Sequence, residues 1–176
     1  MGHEHQKGNH MNNGAVSRAC AVALALFAVS EAAEPDQSSI VPLPRAHAHN
    51  DYHHERPLHD ALSHGFCSLE VDIFLVDGAL LVGHDRQELR PDRTLQSLYL
   101  DPLRRRVRKN GGRVYRGGPT LVLLIDIKDQ GSQVYAALHT LLASYTDILS
   151  TVENNKLEPG AVQVIISGDR PKAEIA

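Results

Sequence analysis

The chain has 176 residues, enough for one ordinary domain with a sizeable core. Its apolar fraction of 42% and charged fraction of 22% are ordinary for a globular protein. A net charge of −3 gives no global pull toward nucleic acid or a membrane surface, so a general polyanion binder is excluded.

The N-terminus reads as a leader. Arg18 precedes the apolar run 19–29, "ACAVALALFAV", and the small residues Ser30 and Ala32 follow. That order matches a secretory signal peptide cleaved after Ala32, which would send the mature chain out of the cytoplasm, secreted or periplasmic. The run is too short to span a bilayer as a helix, so no stable transmembrane segment is expected in the mature chain. The expected organisation is a leader over 1–32, a linker over 33–42 and a folded part over 43–176. Without the leader Cys67 is the only cysteine, and its setting "GFCSLEVD" suits a small buried hydrophobe rather than a nucleophile.

Beyond the linker, "IVPLPRAHA" reads as a short strand interrupted by prolines near its start. "RPLHDALSHG" predicts a helix, with Pro57 in the first turn, Leu58, Ala61 and Leu62 on one apolar face and Gly65 at the stop. "FCSLEVDIFLV" is a strand suited to burial, Asp77-Gly78 signals a two-residue hairpin turn, and "ALLVGHD" is the returning strand. Thr94 and Asp101 are candidate N-caps, and the helix ending "LRRRVRKN" stops at Gly111-Gly112. Its basic run reads as a solvated helix face. "TLVLLIDIK" is another buried strand. "SQVYAALHTLLASYTDIL" is the clearest amphipathic helix, with Val134, Leu138, Leu141, Leu142, Tyr145 and Leu149 in register. "AVQVIIS" is a fourth core strand.

Strands alternating with helices imply an α/β protein with a parallel sheet, whose chemistry collects at the carboxyl ends of the strands. Residues two apart on a strand share a face. Glu70 and Asp72 therefore share one face, Asp126 and Lys128 another, and His47 and His49 a third, and on neighbouring strands all would converge. Unpartnered buried carboxylates cost several kcal/mol each, roughly, or take up protons. A hard divalent cation, Mg²⁺ or Ca²⁺, removes that cost through oxygen ligation. Lys128 beside it suits an anionic substrate, and two flanking histidines can supply an acid and a base. Six of the eleven histidines, His47, His49, His53, His54, His59 and His64, crowd one stretch, and the last four read as loop and helix-surface residues.

The ordered set "HND" at 49–51, "ALSHGFCSLEVDIFLVDGALLVGHD" and "LLIDIK" resembles the phosphatidylinositol-phospholipase-C-like phosphodiesterase superfamily. That group includes glycerophosphodiester phosphodiesterases and sphingomyelinase D type enzymes. "HAHNDY", "RPLHDAL", "LLVGHD" and "TLQSLYLDPL" resemble its altered inheritance of mitochondria protein 6 type. The resemblance implies a TIM (β/α)8 barrel and a metal-dependent phosphoric diester hydrolase. It implies Glu70, Asp72 and Asp126 as ligands of one Mg²⁺ or Ca²⁺, His49 and His84 as the acid–base pair, and Lys128 near the phosphate. His47, Asn50, Asp51 and Asp85 are additional candidates. The implied partner is a phosphodiester, with lipid-derived diesters among the candidates and nucleic acid not among them. Asn50-Asp51 and Arg56-Pro57-Leu58 stand where glycerophosphodiesterases carry Arg-Gly and Pro-Glu-Asn, which points away from glycerophosphodiesters.

About four βα-type strands are present, against eight in a full barrel, so an N-terminal half is expected. Its outer strands would then be unpaired edges, and "VQVII" would be the place for self-association. Two other readings stand beside the phosphodiesterase. One is a different metal-dependent barrel hydrolase, of amidohydrolase or polymerase-and-histidinol-phosphatase type, which also carries His-x-His after the first strand. The other is a catalytically inactive barrel remnant.

Overall fold

Strand β2, Phe66–Val76, explains the rest of the arrangement. Its residues Cys67, Leu69, Val71 and Ile73 point one way and are all buried. Ser68, Glu70 and Asp72 point the other way. The computed structural model describes residues 1–3 and 40–175, so the expected signal peptide and most of the linker lie outside the described residues. Everything below concerns residues 40–175.

β2 lies between β1, Leu43–Ala48, and β4, Leu121–Ile127, and β4 pairs onward with β7, Val162–Gly168. All these pairings are parallel, and they make a curled sheet of mixed α/β type. β3, Ala79–Val82, returns antiparallel along β2 through the Asp77-Gly78 turn, both of whose residues have positive φ. β1 covers the first part of one edge of β2, and β3 covers the last.

The helices follow the strands. α1, His59–Ser63, buries Ala61 and Leu62. α2, Asp101–Lys109, buries Leu103 and Val107. α3, Gly131–Leu142, buries Val134 and Leu138. These join Leu69, Val71, Leu121, Leu123 and Ile125 in one core, on the apolar parity of the strands. The other parity, with Glu70, Asp72, Asp126, Gln163 and Ser167, forms the opposite face. Among the described residues no helix is long and apolar enough to cross a membrane.

Several local expectations shift. The first helix begins at His59 rather than Pro57, because Leu58 takes a left-handed φ of 66° and donates its N–H to Asp51 Oδ2 at 2.5 Å. Thr94 does cap, with Oγ1 accepting the Ser97 N–H at 3.0 Å. Asp101 does not, because a π-helical turn, Gln96–Leu100, already leads into α2, and Asp101 Oδ1 instead accepts the Tyr145 hydroxyl at 2.6 Å. Past Leu142 the third helix tightens into a 3₁₀ turn, Ala143–Tyr145. A small hairpin of β5, Thr151–Glu153, and β6, Lys156–Glu158, turns at Asn154-Asn155, both left-handed. α4, Lys172–Ile175, closes the described chain.

Asp51 is fully buried, and both Leu58 N–H and the Tyr99 hydroxyl (2.9 Å) donate to its Oδ2. Oδ1 has no partner. Burial raises its pKa above the ordinary 3.8, and the two donors only partly oppose that. Between about pH 4 and the folded-state pKa the unfolded chain has lost this proton and the folded chain keeps it, so folding weakens as pH rises. Asp51→Asn retains an acceptor and removes the ionisation. Urea denaturation from pH 4 to 7 should show the falling limb in the natural chain and a flatter profile in the variant. Parallel profiles would count against a buried, proton-holding Asp51.

β7 is the last strand in the sheet order. Among the described residues its outer side is covered only at its start, where Val162 bridges Leu149, and Ile165 further along is 43% exposed. β1 is the opposite edge and carries Pro44, which cannot donate to a partner. Ile165→Lys should therefore reduce concentration-dependent association in sedimentation velocity. A natural chain that stays monomeric at every concentration would contradict the exposed-edge argument.

Candidate functional site

The polar parity of β2 ends in two carboxylates, each facing a histidine from a different loop. Glu70 Oε2 contacts His49 Nδ1 and accepts the Asn50 N–H at 3.2 Å. His49 and Asn50 follow β1, and the β1–β2 register, Ala48 opposite Leu69, sets them beside Glu70. Asp72 Oδ2 contacts His84 Nδ1 at 3.0 Å, and His84 follows β3. In each pair the carboxylate favours the proton on Nδ1 and leaves Nε2 as the basic nitrogen. The rings are reachable: the His49 and His84 side chains are 71% and 50% exposed.

Asp72 is 1% exposed and is the centre of a wider cluster. The Tyr52 hydroxyl donates to Oδ2 at 2.7 Å and lies 3.1 Å from Asn50 Oδ1. Lys128 Nζ lies 3.2 Å from the same Asp72 oxygen and 3.5 Å from Asp126 Oδ2. Asp72 and Asp126 are register partners on β2 and β4, so one ammonium can reach both. Asp126 Oδ1 also accepts the Ser167 hydroxyl at 2.6 Å, from β7. Gly168 keeps that approach open: φ is 73°, and a Cβ there would come within 2.8 Å of Asp126 Oδ1.

Burial lowers the Lys128 pKa, but Asp72 and Asp126 outweigh it and the net shift is upward, so the ammonium stays charged. Burial, then the bond to Asp72, pushes the Tyr52 phenol well above its ordinary 10.0, so it remains a donor.

The other candidates separate. His47 Nδ1 meets Ser68 Oγ at 2.8 Å, and its ring lies 6.4 Å from that of His49. Asp51 turns inward to Leu58 and Tyr99 and holds the loop instead of facing the cluster. Asp85 is exposed at the start of the turn Arg86–Glu88. His53, His54 and His64 are exposed and His59 is partly so. Tyr52 was missed in the sequence: it lies inside "HAHNDY", but nothing in the spacing shows that its hydroxyl reaches across to β2. Among the described residues, the group of three ligand-type side chains whose donor atoms lie within 4.8 Å of one another is His47, His49 and Glu70. Between Asp72 and Asp126 stands Lys128.

The profile of the AIM6-like phosphodiesterase domain matches residues 36–176, most of the chain. The chain belongs to that family. Its relatives include an altered inheritance of mitochondria protein 6 homolog from Arthroderma benhamiae, 35% identical over 158 aligned positions that cover 77% of this chain and 50% of the relative. Altered inheritance of mitochondria protein 6 of Lachancea thermotolerans is 38% identical over 149 positions, covering 73% of this chain and 35% of the relative. Its namesake in Eremothecium gossypii is 32% identical over 175 positions, covering 82% and 44%. The chain thus spans half or less of the length of these family members. No solved structure matches it.

Tyr52→Phe keeps the buried ring and deletes the donor to Asp72. A hydrogen bond to a charged group contributes about 1.5–3 kcal/mol, and thermal or urea unfolding should register a loss of that order. A loss below about 0.5 kcal/mol would mean that Asp72 does not depend on Tyr52.

Proposed function

We propose that this family member carries the acid–base and phosphate-binding centre of a metal-dependent phosphoric diester hydrolase, on a sheet that forms the first portion of a TIM barrel. The observation that carries the proposal is the pair of carboxylate–histidine contacts, Glu70–His49 and Asp72–His84, on one strand beside Lys128. One histidine, through Nε2, takes the proton of an attacking hydroxyl, and the other protonates the leaving oxygen. The carboxylates hold both rings in the tautomer this exchange needs. Lys128 supplies a fixed positive charge for a non-bridging phosphoryl oxygen.

A hard divalent cation would draw on the donors that remain. Among the described residues no hydrogen bond reaches Glu70 Oε1 or Asp72 Oδ1, because the histidines, Tyr52 and Lys128 all engage the other oxygen. These two oxygens, with Asp126 as a third ligand, would hold Mg²⁺ or Ca²⁺ once the side chains close on it, because among the described residues the three carboxylates do not gather within 4.8 Å of one another. Such an ion supplies charge neutralisation at the phosphoryl oxygens. The substrate class is a phosphodiester. Lipid-derived diesters belong to it, and the Asn50-Asp51 sequence after His49 argues against simple glycerophosphodiesters.

Cleavage of a chromogenic phosphodiester in the presence of Mg²⁺ tests this. His84→Ala and His49→Ala should each lower kcat by about a hundredfold or more, with unchanged circular dichroism. Chelation should remove the activity, and Mg²⁺ or Ca²⁺ should restore it. Full activity in His84→Ala would overturn the acid–base assignment.

A further inference from the structure

We propose that His47, His49 and Glu70 form a second, overlapping capture site for a borderline divalent cation of the Zn²⁺ class, and that its occupation switches the centre off. Four observations lead there. The donor atoms of the three side chains lie within 4.8 Å of one another. The two imidazoles project from one edge strand and the loop after it, with ring planes inclined at 43°. Both rings are exposed, whereas Glu70 is buried, so an ion arriving from solvent meets two adjustable donors above one fixed carboxylate. Finally, His47 Nδ1 is engaged by Ser68 Oγ at 2.8 Å, which leaves Nε2 for a ligand. Metal-binding histidines commonly have the ring nitrogen that does not bind the metal held by such a partner.

The donor set decides the class of ion. Two imidazole nitrogens and one carboxylate oxygen, with a fourth position open to water, is a ligand set of open zinc sites. Mg²⁺ and Ca²⁺ prefer oxygen donors and gain little from imidazole, while Zn²⁺ and Co²⁺ bind it well. Ligands of a tetrahedral zinc at about 2.0–2.1 Å stand roughly 3.4 Å apart. The His47 ring would have to move in by up to roughly 1.4 Å and the His49–Glu70 contact would have to open to admit the ion, both of which the exposed histidine rotamers can supply.

The switch follows from sharing. His49 and Glu70 are one of the two carboxylate–histidine pairs, and an ion held by both takes the His49 ring out of proton exchange. This consequence rests on the proposed phosphodiesterase activity, but the binding does not. The two can fail independently.

Titration of the full chain with Co²⁺ reads the binding directly, through the visible bands of a low-coordinate cobalt–imidazole centre, and Zn²⁺ competition gives its affinity. His3, His5 and His10 are common to every variant, so whatever they bind cancels in the comparison. His47→Ala should remove one equivalent of Co²⁺ or weaken it at least tenfold. Ser68→Ala should weaken it less. His47→Gln, which keeps a polar side chain on the same exposed strand, should match the alanine variant. Loss of a Co²⁺ equivalent in both His47 variants, with circular dichroism unchanged, supports the site. Co²⁺ stoichiometry and affinity that are the same with and without His47 overturn it. In the activity assay, the Zn²⁺ concentration for half-inhibition should rise at least tenfold in His47→Ala. Zn²⁺ binding at His47 without inhibition would overturn the switch and leave the site standing.

Discussion

A buried carboxylate must be surrounded by donors, and Asp72 imposes that requirement on three separate segments. It is almost fully excluded from solvent, in the middle of the central strand. Left alone there, an ionised carboxylate would cost several kcal/mol by rough estimate. Its donors come from the loop after β1 (Tyr52), the loop after β3 (His84) and the end of β4 (Lys128). No two of these are close in sequence. Satisfying one oxygen atom therefore fixes the relative position of three strand ends, and the same satisfaction places a basic nitrogen and an ammonium beside each other at the surface.

Asp51 has the corresponding role in a deeper layer. It draws the Leu58 N–H and the Tyr99 hydroxyl to one oxygen, and so ties the loop after β1 to the turn that precedes α2. The positive-φ backbone at Leu58 is sustained by that contact together with the leucine's own burial. Arg93 adds a bond from its guanidinium to the Tyr52 carbonyl at 2.6 Å. The loop bearing His49, Asn50 and Tyr52 is therefore held from beneath, although His49 itself is open to solvent.

Much of this was legible in the sequence because it depends on period. Alternation in "FCSLEVDIFLV" put Glu70 and Asp72 on one face, and the βα order put β2 and β4 side by side. What remained hidden depends on where side chains end. The sequence set three carboxylates toward one ion but did not show their partners: the side chains pair Glu70 with His49 and Asp72 with His84, and Lys128 stands beside Asp126. Asp51 stood in a motif that suggested chemistry, and only its packing shows that it supports the loop. Tyr52 sat among histidines without any periodic signal. The Asn154-Asn155 hairpin needs two consecutive left-handed residues, which asparagine tolerates but does not compel.

The length of β2 has a further effect through its double use of one edge. Its last residues pair with β3 across a two-residue turn, and Asp72 meets His84 with a sequence separation of 12, against 21 between Glu70 and His49. Closing the shorter loop costs less chain entropy, and a hairpin can form in microseconds without the remainder of the sheet. The Asp72–His84 pair is therefore a local unit. It can survive fraying of β1 from the edge of the sheet, an opening that would separate His49 from Glu70. The two halves of the centre thus differ in robustness: one is carried within a single hairpin, and the other exists only while a peripheral strand stays docked.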